Sequence, residues 1–126
     1  MDTPPYKLSL EGAEAVLGAI REVCVFREWP LIAAHVRPTH VHCVVANVAV
    51  PHRAIADFKA YASRRLNAIE GSRKRWARDG STRPLLNEDA VRTAVRYVAD
   101  RQGDPIAVYV DARQDDGALQ KRPQAI

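Results

Sequence analysis

Two histidines separated by a single residue are the feature of this sequence that most directly suggests chemistry. His40 and His42 lie in the string Thr-His-Val-His-Cys-Val-Val, residues 39–45, which is rich in the β-branched residues that favour a strand. Alternate side chains of a strand share a face, so the two imidazoles lie side by side, about 7 Å apart at their Cα atoms. Imidazole is a common metal ligand, and a carboxylate or amide from another element would complete a divalent site. The alternative is two exposed strand histidines with no joint role.

The nucleophile candidates are tyrosines, because the chain has no serine elbow and Cys24 lies in an expected buried helix stripe. A phenolate can attack a phosphodiester and hold one strand end covalently, which conserves the bond energy for later rejoining. Tyr61 and Tyr97 each lie beside an apolar helix stripe, near the border between the buried and exposed faces. Ordinary packing tyrosines occupy such borders too, so the residues alone leave both interpretations open.

The first half of the chain predicts the elements that position the histidines. Apolar residues at helical spacing predict an amphipathic helix over residues 11–27, after a short opening segment. Residues 29–36 and 40–48 predict two strands, which are joined by the turn-forming residues 37–39. Strands joined by so short a link must be antiparallel neighbours, so they form a hairpin.

The second half predicts two further helices and a last strand. One helix covers residues 51–69, and another begins after Asn87 as its N-cap and ends near Gly103. Between these helices, residues 72–84 predict a basic loop or a short strand. Residues 106–110 predict an edge strand or an extended segment that packs against a neighbour.

This order of elements predicts an α+β sandwich, a small antiparallel sheet with helices packed on one face. The 126 residues suit one domain, which we assign to residues 1–112, followed by a polar tail over 113–126 that we expect to be mobile. No apolar run approaches the roughly 18 residues that would span a bilayer, and residues 1–10 do not resemble a secretory signal. We therefore expect a cytoplasmic protein with no membrane contact and with its two cysteines reduced.

Positive charge is concentrated in one segment, although the net charge of the chain is only +4. Between residues 59 and 83, eight basic residues stand against Glu70 and Asp79. Such a cluster favours a polyanionic partner, since neutralising phosphates releases counterions. The alternative is an ordinary solvated helix face. The candidates for nucleic-acid binding are Lys59, Arg64, Arg65, Arg73, Lys74, Arg75, Arg78 and Arg83, with Trp76 able to stack on a base.

Four strings together resemble a known family. They are RPTHVHCVV (37–45), FKAYASRRLN (58–67), KRWARDGSTRPLL (74–86) and AVRYVADRQGDP (94–105). In this order they resemble the one-tyrosine HUH transposases of insertion-sequence 200/605 type, above all the REP-associated tyrosine transposases. The resemblance covers about residues 5–110.

The resemblance implies a ferredoxin-like sheet, a metal site and a covalent mechanism. By position, His40 and His42 would bind Mg²⁺ or Mn²⁺. Tyr97, which lies in the helix after the basic loop, would be the nucleophile in preference to Tyr61. It would attack single-stranded DNA bearing a hairpin, leaving a 5′-phosphotyrosine and a free 3′-hydroxyl. Members of the family are often homodimers, so a homodimer is expected here.

The sequence departs from the family at two points. The amide that usually supplies a third metal ligand about one helical turn after the tyrosine is here Gln102, five positions on, and Asp100 competes for that role. The first strand is also short, covering about residues 6–8. Two rival functions therefore remain, a non-catalytic module that binds single-stranded nucleic acid and a metal-dependent enzyme acting on small phosphoesters.

Overall fold

The computed structural model of this protein describes residues 6–76, 83–85, 87–100, 107–111 and 124–126. These residues form three α-helices and five β-strands. In chain order the elements are α1 (Leu10–Arg27), β1 (Leu31–Val36), β2 (Val41–Val45), α2 (Pro51–Glu70), β3 (Arg83–Pro84), α3 (Glu88–Asp100), β4 (Ala107–Val110) and β5 (Gln124–Ala125).

The strands form a single antiparallel sheet in the order β3-β5-β2-β1-β4. Its main body is β2, β1 and β4, because β3 and β5 contribute two residues each. The predicted hairpin is confirmed as β1 and β2, and β4 is the predicted edge strand. The α+β class, a small antiparallel sheet with helices packed against it, is therefore confirmed.

The helix ends follow local side-chain chemistry. The Ser9 hydroxyl accepts a hydrogen bond from the backbone N–H of Gly12, which caps α1. Pro51 occupies the start of α2, where its missing N–H costs no helix hydrogen bond. The predicted N-cap of α3 is also found, since the Asn87 side-chain oxygen accepts from the N–H of Ala90. Glu28 ends α1 in the left-handed conformation, with φ 59°.

The sheet separates two hydrophobic clusters. On β2, Cys43 and Val45 point into one cluster together with residues of α1 and α2. The alternating residues Val44 and Ala46 point into the other cluster, together with α3. The expectation that the helices share one face therefore holds for α1 and α2 but not for α3, which covers the opposite face. Pattern alone does not assign a helix to a face, because either face of a buried sheet accepts an apolar stripe.

Both ends of the described chain differ from expectation. Residues 6–9 form no strand, although the N–H of Leu8 donates to the carbonyl of Pro38. At the other end, Gln124 and Ala125 pair with Val45 and Val44, so the last residues of the expected mobile tail belong to the sheet. Residues 112–123 lie outside the described residues. The sequence did not predict this strand, because two residues are too few to show the alternation of a strand.

Candidate active site

The β1–β2 hairpin fixes the direction in which its histidines point. The N–H of Arg37 donates to the carbonyl of His40 across the turn, at 2.8 Å. From there the register pairs His35 with His42. Because Val44 packs in the cluster beneath α3, the even-numbered neighbours on β2, His42 and His40, face the same side of the sheet. The histidine pair is therefore on the α3 side.

The two imidazole rings of the pair are stacked in parallel. Their centroids lie 6.3 Å apart and their planes differ by 4°. His40 is exposed and His42 is half-buried. The Thr39 hydroxyl lies 2.8 Å from Nδ1 of His40. In the tautomer with a proton on Nδ1, His40 donates to Thr39 and its Nε2 carries the lone pair that a metal requires.

The environment of His42 favours the neutral imidazole. Burial lowers its pKa most strongly, and the nearby His40, His35 and Arg37 lower the pKa further by charge repulsion. At neutral pH His42 is therefore unprotonated, which is the form that binds metals.

A third histidine, His35, belongs to the same region but was overlooked in the sequence. Its side chain is fully buried and lies directly across the hairpin from His42. The predicted three-residue link would pair His35 with Val41. In the structure four residues, 37–40, separate the paired Val36 and Val41, and this register sets His35 opposite His42. His35 is therefore the buried cross-strand neighbour of His42.

The histidine pair fits a divalent ion only in part. Within the described residues, no group of three or more His, Cys, Asp or Glu side chains is placed to hold a metal. The parallel rings must also tilt toward each other, because two nitrogens on one ion lie within about 4 Å. Gln102 lies outside the described residues, and so does the side chain of Asp100. His40 and His42 thus supply two imidazole ligands, and the third ligand remains a prediction.

The four tyrosines of the chain are divided between the two faces of the sheet. Tyr6, Tyr61 and Tyr109 pack against the cluster of α1 and α2. Tyr97 lies on α3, one turn after Ala94, which packs in the other cluster, and its side chain is 51% exposed. Tyr97 is therefore the one tyrosine on the helix that covers the face of His40 and His42.

Several of the predicted DNA-binding arginines make contacts within the protein. Arg65 forms an ion pair with Glu22 at 2.8 Å, and Arg64 lies over the ring of Tyr61. Arg73 lies over the ring of Tyr6, with its guanidinium carbon 4.7 Å from the ring centroid. All three remain exposed, so these contacts orient the side chains without removing them from solvent.

Arg75 and Trp76 are less exposed than these three arginines, and both form hydrogen bonds within the protein. The Arg75 side chain is 1% exposed and donates to Glu70, Asn67 and the carbonyl of Gly71. The Trp76 indole N–H donates to the Ser63 hydroxyl at 2.7 Å. The geometry favours a structural role for the Arg75 guanidinium, which holds the chain leaving α2 against the end of that helix.

The remaining predicted contacts are placed as follows. Lys74 is exposed, and Lys59 is half-buried on α2. Arg83 lies in β3 with its side chain outside the described part of the structure, and Arg78 is among the residues that are not described.

Comparison with known proteins found no relative of this chain. No protein-family model matches the chain, and no curated protein or solved structure matches it. Among the described helices, none is both long enough and apolar enough to cross a membrane. The geometry of the site must therefore carry the functional argument.

Proposed function

We propose that this protein is a metal-dependent, single-stranded DNA endonuclease and strand transferase of the HUH type. The observation that carries the proposal is the distribution of its tyrosines. Of the four in the chain, Tyr97 alone lies on α3, the helix that packs on the sheet face of His40 and His42. An exposed phenol on the helix that covers this face is a candidate nucleophile for covalent attack on a phosphodiester.

In the proposed reaction the Tyr97 oxygen attacks the phosphorus of one phosphodiester. A phosphorus–oxygen bond forms to Tyr97 as the bond to the 3′-oxygen breaks. The phenolic proton passes to solvent, and the departing 3′-oxygen takes up a proton to become a hydroxyl. The 5′ end of the cut strand is then a phosphotyrosine, and attack by another 3′-hydroxyl reverses the chemistry on a new strand. The bond count is conserved at each step, so no external energy source is required.

His40 and His42 are the residues that would hold a divalent ion, Mg²⁺ or Mn²⁺. When bound, such an ion supplies Lewis acidity to the scissile phosphate. Thr39 would orient His40 through Nδ1, and burial keeps His42 neutral and ready to bind. Gln102, or Asp100 in its place, would complete the ligand set.

A single strand bearing a hairpin is the proposed substrate, and exposed basic residues would bind its phosphates. Arg64, Arg73 and Lys74 are the best placed of these, because each remains open to solvent on or just after α2. Arg65 and Arg83 extend the set along the chain.

We also propose a homodimer, which the family resemblance implies. Within the described residues, β4 forms an edge of the sheet and carries Val108 and Val110, which are 41% and 39% exposed. A second strand could pair there. Light scattering at micromolar concentration would test this, and a monomer would contradict it.

A second candidate is a non-catalytic module that binds single-stranded nucleic acid. One observation favours it, since the described residues contain no complete group of metal ligands. This module would keep the basic surface and bind DNA without forming a covalent adduct.

The experiment that separates the two candidates is a search for covalent adducts. Purified protein is incubated with Mn²⁺ and labelled hairpin-bearing single strands, and the products are separated on a denaturing gel. We expect an adduct that disappears with chelator and in Tyr97→Phe but persists in the matched control Tyr61→Phe, whose ring packs on the opposite side of the sheet. DNA binding without an adduct, across a pool that contains a bound strand, would support the non-catalytic module instead.

A further inference from the structure

The arginines proposed to bind DNA phosphates lie away from the proposed nucleophile. Arg64 lies over the ring of Tyr61, which packs against the cluster of α1 and α2. Arg73 lies over the ring of Tyr6, which packs against the same cluster. Tyr97 lies on α3, which covers the opposite face of the sheet. A strand held only by Arg64 and Arg73 would therefore lack a phosphate contact beside Tyr97.

The surface of α3 carries its own polar side chains beside Tyr97. Thr93 and Arg96 are both exposed, as is Tyr97. Arg96 and Tyr97 follow Thr93 at i+3 and i+4, the spacings at which helix side chains are neighbours, with Cβ atoms about 5–6 Å apart. Val91, Ala94 and Val95 form the buried stripe of the helix. Helical geometry directs Thr93 and Arg96 farther from this stripe than Tyr97.

The two arginines of α3 differ in how their charge is used. Arg92 forms ion pairs with Glu88 and Asp89 in the first turn of the helix. Arg96 forms no ion pair, hydrogen bond or ring contact within the part of the chain that the structure describes. The guanidinium of Arg96 is therefore available to an external anion, whereas that of Arg92 is already neutralised.

A cation is needed at this position if a phosphate is to approach Tyr97. Tyr97 lies in the last turn of α3, which ends at Asp100, and the carboxyl end of a helix carries partial negative charge. The adjacent Arg96 guanidinium offsets that charge and can donate two parallel hydrogen bonds to a phosphate. The hydroxyl of Thr93 is a further donor of the kind that binds phosphate oxygens.

We infer that Thr93 and Arg96 bind one backbone phosphate of the DNA strand, the neighbour of the phosphate that Tyr97 attacks. This inference rests on the proposed function for the role of Tyr97. Because Thr93 and Arg96 point farther from the sheet than Tyr97, the phosphate that they hold lies on the outer side of the nucleophile. Fixing this neighbouring phosphate on α3 determines which phosphodiester is presented to Tyr97.

The test measures the binding of a single strand without cleavage. Labelled oligothymidylate is titrated with the full-length protein in chelator, and fluorescence anisotropy is recorded at several salt concentrations. Phosphate contacts carry no sequence information, so this strand reports on them. We expect Arg96→Gln to weaken binding by about fivefold or more. The slope of log affinity against log salt should become shallower by about 0.7, the value for one phosphate of a single strand.

Arg92→Gln is the matched control. It removes the same charge from the same helix one turn earlier, but from a guanidinium that Glu88 and Asp89 already neutralise. Its affinity and salt slope should stay close to those of the wild type. Arg96→Lys should keep the wild-type slope because the charge remains, and Thr93→Val should weaken binding without changing the slope because the hydroxyl is uncharged. Circular dichroism of each variant checks that the fold is retained.

The outcomes separate this inference from the proposed function. Equal effects of Arg96→Gln and Arg92→Gln, or an unchanged salt slope in Arg96→Gln, would overturn the inference even where covalent adducts form. Absence of oligothymidylate binding by the wild type would also overturn it. A loss of binding specific to Arg96→Gln, in a protein that never forms an adduct, would uphold the phosphate site on α3 and reject the nuclease.

Discussion

His35 and His42 are paired directly across the β1–β2 hairpin, so the fully buried imidazole of His35 lies on the same side of the sheet as the half-buried ring of His42. His40 extends the series toward solvent, with its ring parallel to that of His42. The side of the sheet covered by α3 therefore carries three imidazoles, graded from the interior to the surface.

The histidine pair predicts a specific loss of metal binding on substitution. His40→Ala or His42→Ala should weaken Mn²⁺ binding by more than about 100-fold, because each removes an imidazole ligand, a larger loss than that of an outer partner. Isothermal titration or electron paramagnetic resonance of Mn²⁺ would measure it. His52→Ala is the control, since His52 is exposed at the start of α2. An equal loss in His52→Ala would contradict the site.

Thr39 predicts an effect that acts through His40. Thr39→Val removes the hydroxyl that lies 2.8 Å from Nδ1 of His40 while keeping the shape of the side chain. Metal affinity should fall by about tenfold or more, as for other outer partners of metal-bound histidines. Thr39→Ser should restore it, because the hydroxyl returns. If Val and Ser behave alike in the same titration, the hydroxyl does not orient the ring.

Substitution of the buried His35 should reduce the stability of the fold. His35→Ala empties a fully buried position between the strands and α3, and should reduce the free energy of unfolding by about 2–4 kcal/mol. Urea denaturation followed by circular dichroism would measure the change. The exposed His52→Ala should shift it by less than about 0.5 kcal/mol. A neutral result for His35→Ala would mean that the buried position can collapse without cost.

Neighbouring basic residues should separate structural from DNA-binding roles. Arg75→Gln removes the guanidinium that bonds to Glu70, Asn67 and Gly71, and should cost about 2 kcal/mol of stability. Lys74→Gln changes an exposed side chain, so stability should stay constant while affinity for single strands falls and depends less steeply on salt. Thermal melts and fluorescence anisotropy at several salt concentrations measure the two effects. The reverse pattern would exchange the roles.

The Glu70 carboxylate predicts a pH dependence of stability. Partial burial would raise its pKa, but hydrogen bonds from Tyr6 and Arg75 and the charges of Arg75 and Arg73 outweigh burial and lower it. A lowered folded-state pKa stabilises the protein above the unfolded-state value of about 4.5, and this contribution is lost as the pH falls toward the folded-state value. Melting temperatures between about pH 6 and pH 3 should therefore fall less steeply in Glu70→Gln. Parallel curves for wild type and variant would show that Glu70 does not contribute.

Much of this architecture could be predicted from local sequence patterns. Helical spacing located the three helices, and the caps Ser9, Pro51 and Asn87 act over a few residues, so their signals are contained in short windows. The short link after Val36 determined the hairpin. The two-residue spacing of His40 and His42 determined that they share a face, because the period of a strand is fixed.

The tertiary structure decided what those patterns leave open. The sequence did not reveal that α3 covers the opposite face from α1 and α2, because an apolar stripe is compatible with either face of a buried sheet. This assignment separates Tyr97 from Tyr61 by geometry. Arg75 looked like a phosphate contact because sequence patterns do not show that the chain leaving α2 folds back, so that Arg75 bonds to Glu70 and Asn67, five and eight positions earlier. Likewise, β5 joins the sheet by pairing with β2, about 80 positions earlier, and with β3, about 40 positions earlier. A two-residue strand carries no sequence pattern that predicts such long-range pairing.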